Sequence, residues 1–115
     1  MTGPRLDGAT IAVLDVLLNA WDQKAELHGW EIMHRSGKSG PSAYRALDRL
    51  EESGWVTATW EMLKGGERRP RLRYYRITAD KVDAARAHVE QRHRDGLQRL
   101  RPQLGFGATP AGGLR

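Results

Sequence analysis

The fold is decided by residues 29–54, GWEIMHRSGKSGPSAYRALDRLEESG. Within them, residues 29–35 and 42–52 carry apolar side chains three or four positions apart, which is typical of amphipathic helices. The small polar residues, glycines and proline between the two stretches favour a turn. Either Ser39 or Ser42 suits the N-cap of the second of these helices. Two helices joined by a short turn form a helix-turn-helix arrangement.

Three further elements flank this motif. Apolar residues recur at helical spacing over 7–21, which predicts a preceding helix whose first turn is capped by Asp7. After the motif the residue types change, because 55–60 and 72–78 are rich in the Trp, Val, Thr and Tyr that favour strands. Gly and Pro mark residues 64–71 as the tip of a hairpin between them.

A long helix is predicted after the hairpin, with Thr78 as its cap and Pro102 as its end. The order helix, helix, helix, hairpin, helix predicts an α+β fold that is mostly helical, a winged helix-turn-helix with three helices and a two-stranded wing. The predicted divisions are a winged helix-turn-helix domain over 1–78, a separate long helix over 79–101 and a flexible tail over 102–115.

The composition narrows the function. The chain has 115 residues, a net charge of +5 and no cysteine, which excludes disulfides, thiolate zinc sites and a cysteine nucleophile. No apolar run is long enough to span a membrane, and no secretion signal follows Met1. We therefore expect a cytoplasmic protein without a membrane partner.

The positive charge is concentrated in one segment. Residues 64–76 contain six Lys or Arg and one Glu, and the rest of the chain is balanced. A localised basic patch indicates a polyanionic partner, with nucleic acid favoured over membrane. The patch coincides with the predicted wing, which in this fold reaches the DNA backbone or minor groove while the third helix enters the major groove.

The third helix offers a base-reading residue. Arg45 lies near its start, clear of the apolar stripe, and its guanidinium suits a guanine edge. For Tyr44 half-buried packing remains an alternative to DNA contact, and for Arg49 a local ion pair is an equal alternative. The predicted DNA-binding residues are Lys38, Ser39, Ser42, Tyr44, Arg45, Arg49, Arg68, Arg69, Arg71 and Arg73.

Several segments resemble the PadR-type transcriptional regulators. LHGWEI at 27–32 is similar to the start of that family's second helix, and YRALDRLEESGWV at 44–56 is similar to its recognition helix and the following turn. WE at 60–61 and RYYRIT at 73–78 resemble its wing strands. The resemblance implies a dimeric winged-helix DNA-binding regulator, most often a repressor, whose terminal helix pairs with the partner subunit.

The apolar stripe of the last helix also predicts a homodimer, because a long helix is only marginally stable without a packing partner. The predicted dimerisation residues are Leu14, Leu18, Val82, Ala85, Val89, His93 and Leu97.

No set of residues with catalytic, metal-ligating or phosphate-loop spacing stands out, so we predict no enzyme activity, no cofactor and no metal. The predicted function is a sequence-specific regulator that binds an inverted-repeat operator in double-stranded DNA. The alternative is a winged-helix module that docks a protein or RNA without operator specificity. No sequence feature identifies a small-molecule or protein effector.

Overall fold

The computed structural model describes residues 6–104, with side chains over 6–100. Residues 1–5 and 105–115 lie outside the described part, and with them most of the predicted tail. The elements are α1 Gly8–Asp22, β1 Leu27–His28, α2 Gly29–Ser36, α3 Gly40–Glu52, β2 Val56–Trp60, β3 Arg73–Ile77, a 3-10 turn Ala79–Lys81 and α4 Val82–Leu104. This order confirms the predicted mostly helical winged helix-turn-helix with a long last helix.

The helix starts follow from local capping. Asp7 caps α1 by accepting the backbone N–H of Thr10, as predicted. His28 and Glu31 form a reciprocal capping box at the start of α2. Of the two predicted serine caps for α3, Ser39 is the one in place, since its Oγ accepts the N–H of Ser42 at 3.3 Å. Helix α3 consequently begins at Gly40, two residues earlier than predicted.

The turn between α2 and α3 is set by Gly37. Its φ of 72° lies in the left-handed region, where the absence of a Cβ removes the usual steric cost. The backbone N–H of Gly37 closes the last turn of α2 onto the carbonyls of Met33 and His34. The chain can therefore reverse within three residues and enter α3.

One core joins all four helices to the sheet. Helix α1 lies at its centre and is buried on most sides, from Thr10 to Ala20. The predicted stripe of α3 is confirmed, since each of its four members is fully buried: Ala43, Ala46, Leu47 and Leu50. Ile32 of α2 and Ile77 of β3 are also fully buried. This packing holds α2 and α3 as one rigid unit on α1.

The sheet has three antiparallel strands in the order β1-β3-β2. Strands β2 and β3 form the predicted hairpin, with Val56 opposite Ile77 at its base and Trp60 opposite Arg73 at its far end. The third strand, β1, was not predicted, because two residues are too few to show an alternating pattern. It pairs with β3 and ties the start of α2 to the wing.

Two predictions about the last helix are wrong. The Thr78 side chain does not cap it; its hydroxyl lies 3.3 Å from that of Thr57 across the hairpin, and a 3-10 turn precedes the helix. Pro102 does not end the helix, which continues to Leu104. Proline fixes φ at about −65°, a value compatible with helical backbone, so a proline does not by itself end a helix. No helix in residues 6–104 is long and apolar enough to cross a bilayer.

Candidate nucleic-acid interface

The exposed face of α3 lies opposite its buried stripe. Tyr44, Arg45, Asp48 and Glu52 are all exposed on it. Arg45 stands near the helix start, and among the residues with described side chains its guanidinium makes no ion pair. The face therefore presents a planar hydrogen-bond donor beside a carboxylate acceptor, a combination that distinguishes base edges better than positive charge alone.

Tyr44 has one side against the protein and one toward solvent. Its ring packs directly on Gly29, at the first position of α2. The side chain is nevertheless 41% exposed. The packing alternative is therefore present in the structure, because Tyr44 packs the two helices together, and a DNA contact by the exposed part of Tyr44 stays a prediction.

The turn before α3 brings three further candidates to the same edge. Lys38 and Ser39 are exposed and Ser42 is half-buried. The Ser39 Oγ accepts the Ser42 N–H, so its hydroxyl proton remains available to a phosphate oxygen. The positive end of the α3 dipole points at this edge, which favours an anion there.

Arg49 is engaged inside the protein. Its Nη1 lies 3.0 Å from Asp7 Oδ2 and 3.2 Å from Thr10 Oγ1, both at the start of α1. The hydrogen bonds from Thr10, followed by the nearby Arg49 charge, lower the pKa of Asp7. The local ion pair, one of the two readings open at the sequence level, is the one formed in the free protein.

The wing carries its own internal pair. Arg69 forms a two-pronged contact with Glu61, with Nη1–Oε1 at 2.8 Å and Nη2–Oε2 at 2.6 Å. Glu61 also accepts the backbone N–H of Leu72 across the hairpin at 3.1 Å. The Arg69 bond, followed by the Leu72 bond, lowers the pKa of Glu61 to about 2, and the bond to Glu61 raises the pKa of Arg69. The pair stabilises the base of the wing loop, and Glu61 neutralises the charge of Arg69.

Arg73 is also paired. Its Nη2 lies 2.6 Å from Oε2 of Glu51, near the end of α3. The guanidinium carbon is 5.4 Å from the ring centre of Trp60 and 5.8 Å from that of Tyr75. Its Nε is buried and has no hydrogen-bond partner among the described residues.

The basic segment therefore divides into two groups. Carboxylates of the same chain pair with Arg69, Arg73 and Arg76. Within the described side chains, Lys64, Arg68 and Arg71 have no acidic partner and are exposed. These three cations form the free charge of the wing. The sequence could not separate the groups, because Glu51 lies 22 residues before Arg73.

The predicted dimerisation residues also divide. Five of them are buried in the core of the single chain: Leu14, Leu18, Val82, Ala85 and Val89. They hold the first half of α4 on α1. His93 and Leu97 are exposed, and Leu97 exposes 63% of its surface. A further exposed leucine, Leu100 at 45%, lies on the same part of α4.

Four residues of this surface were not predicted from the sequence. Gly29 accommodates Tyr44, Glu51 and Trp60 hold Arg73, and Glu61 holds Arg69. For Trp60 a signal was available, since hairpin register places the last residue of β2 opposite the first of β3. For the two glutamates no local pattern marks the partner.

One face of helix α3 is exposed beside a basic wing, and the common core fixes their relative positions. This arrangement is that of a winged helix-turn-helix DNA-binding regulator. The chain belongs to the PadR-like family of transcriptional regulators, whose model matches residues 17–81. That range runs from the middle of α1 through the whole sheet. No curated protein matches the chain.

Solved structures share the fold. A PadR family transcription regulator from Clostridium difficile is 17% identical with a TM-score of 0.56, over 85% of this chain and 98% of that one. The homodimeric winged helix-turn-helix domain Mb0332 from Mycobacterium bovis, a possible ArsR-family regulator, is 24% identical with a TM-score of 0.50, over 81% and 74%. The transcriptional regulator PA4135 is 21% identical with a TM-score of 0.57 over 87% of this chain. The chain spans only 66% of PA4135 and 64% of a Lactococcus lactis ZitR structure.

Proposed function

We propose that this protein is a homodimeric transcriptional repressor that binds an inverted-repeat operator in double-stranded DNA. Membership of a regulator family supports the general role, and the exposed α3 face supports the specific one. The observation that carries the proposal is Arg45, exposed near the start of α3 without an ion-pair partner among the described side chains, on the same helix face as Asp48. The adjacent wing supplies Lys64, Arg68 and Arg71 for the backbone.

The two components of binding separate on this surface. Wing cations and the α3 N-terminus attract phosphates of any sequence, which gives affinity and salt dependence. Arg45 suits the O6 and N7 acceptors of guanine, and Asp48, one turn further along, suits the amino donor of cytosine. Because Asp48 also repels phosphates, its position favours binding only where a base donor offsets that repulsion.

The free end of α4 supports the homodimer. The Nη1 of Arg92 donates a hydrogen bond to the carbonyl of Leu6. Further along α4, the side-chain hydrogen bonds within the described residues join only residues of the same helix. Leu97 and Leu100 are exposed there. A second copy that covers them would relate two α3 helices by a twofold axis. The operator would then be an inverted repeat with half-site centres about 34 Å apart, or a multiple of that distance.

The proposal is tested by fluorescence anisotropy with a labelled random-sequence duplex at low and high salt, and with a duplex of matched RNA. We expect binding to DNA at low salt that weakens steeply with salt. Binding to RNA alone, or to neither, would favour the protein- or RNA-docking module instead. Because the ligand is chromosomal, we place the protein in the cytoplasm.

A further inference from the structure

We propose that Arg73 is a positioning residue that locks the base of the wing loop, residues 61–72, to α3, and that it does not itself contact DNA. The proposal rests on the DNA-binding function above. It reassigns a residue that the sequence placed among the DNA contacts, and it gives Glu51 and Trp60 a role in binding without either touching the nucleic acid.

The location of Arg73 makes it suitable for this role. It is the first residue of β3 and stands opposite Trp60, the last residue of β2. The two strands of the hairpin end at this pair, and the loop that carries Arg68 and Arg71 begins beyond it. A contact here controls the direction in which the whole loop leaves the sheet.

The contacts of Arg73 connect helix α3 to the hairpin. Its guanidinium bonds Glu51 of α3 at 2.6 Å and lies near the rings of Trp60 and Tyr75 in the hairpin. Among the described side chains it forms the only ion pair between α3 and the sheet. A planar guanidinium can bond a carboxylate at its edge and pack its faces on aromatic rings at once, whereas a lysine ammonium cannot.

The charge balance at this site disfavours a strong phosphate contact. Glu51 neutralises the charge of Arg73. The Glu51 side chain is about two-thirds buried, so without the arginine a partly desolvated carboxylate would have no partner. A phosphate approaching Arg73 would also approach that carboxylate. The pair therefore acts as a neutral clamp, while the free charge of the wing lies further out, on Arg68 and Arg71.

The clamp matters because α3 and the wing meet different grooves of the same duplex. A small error in their relative direction prevents both from binding together. Removing one member of a network of this kind can change coupling by roughly twofold to thirtyfold. Loss of the clamp should therefore weaken DNA binding although no contact to DNA has been removed.

The sign of one substitution decides between a clamp and a simple charge effect. Glu51→Gln removes a negative charge close to the DNA surface, so electrostatics alone predicts tighter binding. If Glu51 holds Arg73, the same change weakens binding to a random-sequence duplex by roughly twofold to thirtyfold. Glu52→Gln is the matched control, because Glu52 is exposed next to it on α3; there we expect equal or tighter binding.

Arg73→Lys supplies the second measurement. A phosphate contact would survive this change, because lysine keeps the charge, whereas the clamp would not. We expect Arg73→Lys to weaken binding as much as Glu51→Gln, and the two together to cost little more than either alone, as for two members of one unit. Tighter binding by Glu51→Gln, or full binding by Arg73→Lys, would overturn the clamp.

A readout without DNA separates this proposal from the proposed function. Backbone amide exchange over residues 61–72 should be faster in Arg73→Lys than in the wild type, with exchange in α1 unchanged, which also shows that the variant is folded. If the wild type bound no duplex, the proposed function would fail, and faster wing exchange would still support the clamp. Unchanged exchange over 61–72 would overturn the clamp alone.

Discussion

The ring of Tyr44 occupies the space that a side chain at Gly29 would need. A Cβ placed on Gly29 would lie 2.6 Å from Cε1 and 2.7 Å from Cζ of the tyrosine. Glycine at the first position of α2 is thus required by a residue of α3, fifteen positions later in the chain. The contact fixes α2 and α3 in the orientation that exposes Arg45.

Gly29→Ala should therefore displace Tyr44 and destabilise the protein by about 1–3 kcal/mol, the usual cost of overpacking. Urea denaturation monitored by circular dichroism measures it. The double variant Gly29→Ala/Tyr44→Ala should recover part of the loss, because the clash is gone. The matched control is Gly96→Ala in α4, where an added Cβ would meet no atom of the described residues within 4 Å beyond its own stretch of helix; there we expect a gain of up to about 1 kcal/mol. Equal effects at both glycines would contradict the proposed contact.

The free and paired cations of the wing should differ in salt dependence. Arg68→Ala and Arg71→Ala should each reduce the slope of log binding constant against log salt by about 0.9, as expected for one lost phosphate contact. The control removes the neutral pair, as Glu61→Gln/Arg69→Gln, and should leave the slope close to that of the wild type. A salt titration of anisotropy gives all of these slopes. A larger reduction of the slope in the double variant than in Arg68→Ala would contradict the division into free and paired cations.

The carboxyl of Glu61 should titrate well below the ordinary range. The Arg69 bond, with the Leu72 N–H, lowers its pKa from 4.5 to about 2. A carboxyl with a lowered pKa stabilises the fold above its unfolded pKa, and that contribution is lost as pH falls from about 4.5 through about 2. NMR of the side-chain carboxyl carbon should give a midpoint near 2, and Arg69→Gln should raise it, whereas Arg68→Gln should not. A wild-type midpoint near 4.5 would show that the pair is not formed in solution.

The exposed end of α4 should control assembly. Leu97→Glu together with Leu100→Glu should convert a dimer into a monomer, because both side chains are exposed on a single chain and would be buried by a second copy. Sedimentation equilibrium measures the mass. Met62→Glu is the control, since Met62 is an exposed apolar residue of the wing. A wild type that sediments as one chain, or a dimer that persists in the double variant, would exclude this interface.

Much of the fold could be predicted from local patterns. The stripe Ala43, Ala46, Leu47 and Leu50 fixes the buried face of α3, and Asp7 and Ser39 fix helix starts, because each effect acts within one or two turns. Strand β1 could not be predicted, since its two residues form a strand only through pairing with β3.

The surface was predictable in outline only. A basic segment is visible in the sequence, but which of its cations are free depends on partners distant in the chain. Arg49 bonds Asp7 across 42 residues and Arg73 bonds Glu51 across 22. Similarly, the stripe of α4 predicts a buried face, yet the sequence does not show whether α1 of the same chain or a second copy covers it. In the structure α1 covers the first half of the stripe, Val82, Ala85 and Val89, and the second half, His93, Leu97 and Leu100, is exposed.

Sequence-specific DNA binding is tested most directly by selecting binding sites from a random duplex pool with the wild type and with Arg45→Ala. We expect the wild type to enrich an inverted repeat whose half-site centres lie about one helical turn apart. Arg45→Ala should lose the preference for one guanine in each half-site, at a cost of about 1–3 kcal/mol on the wild-type site and far less on random DNA. An identical motif for both proteins would remove Arg45 from base reading. No enrichment by the wild type would contradict sequence-specific binding itself.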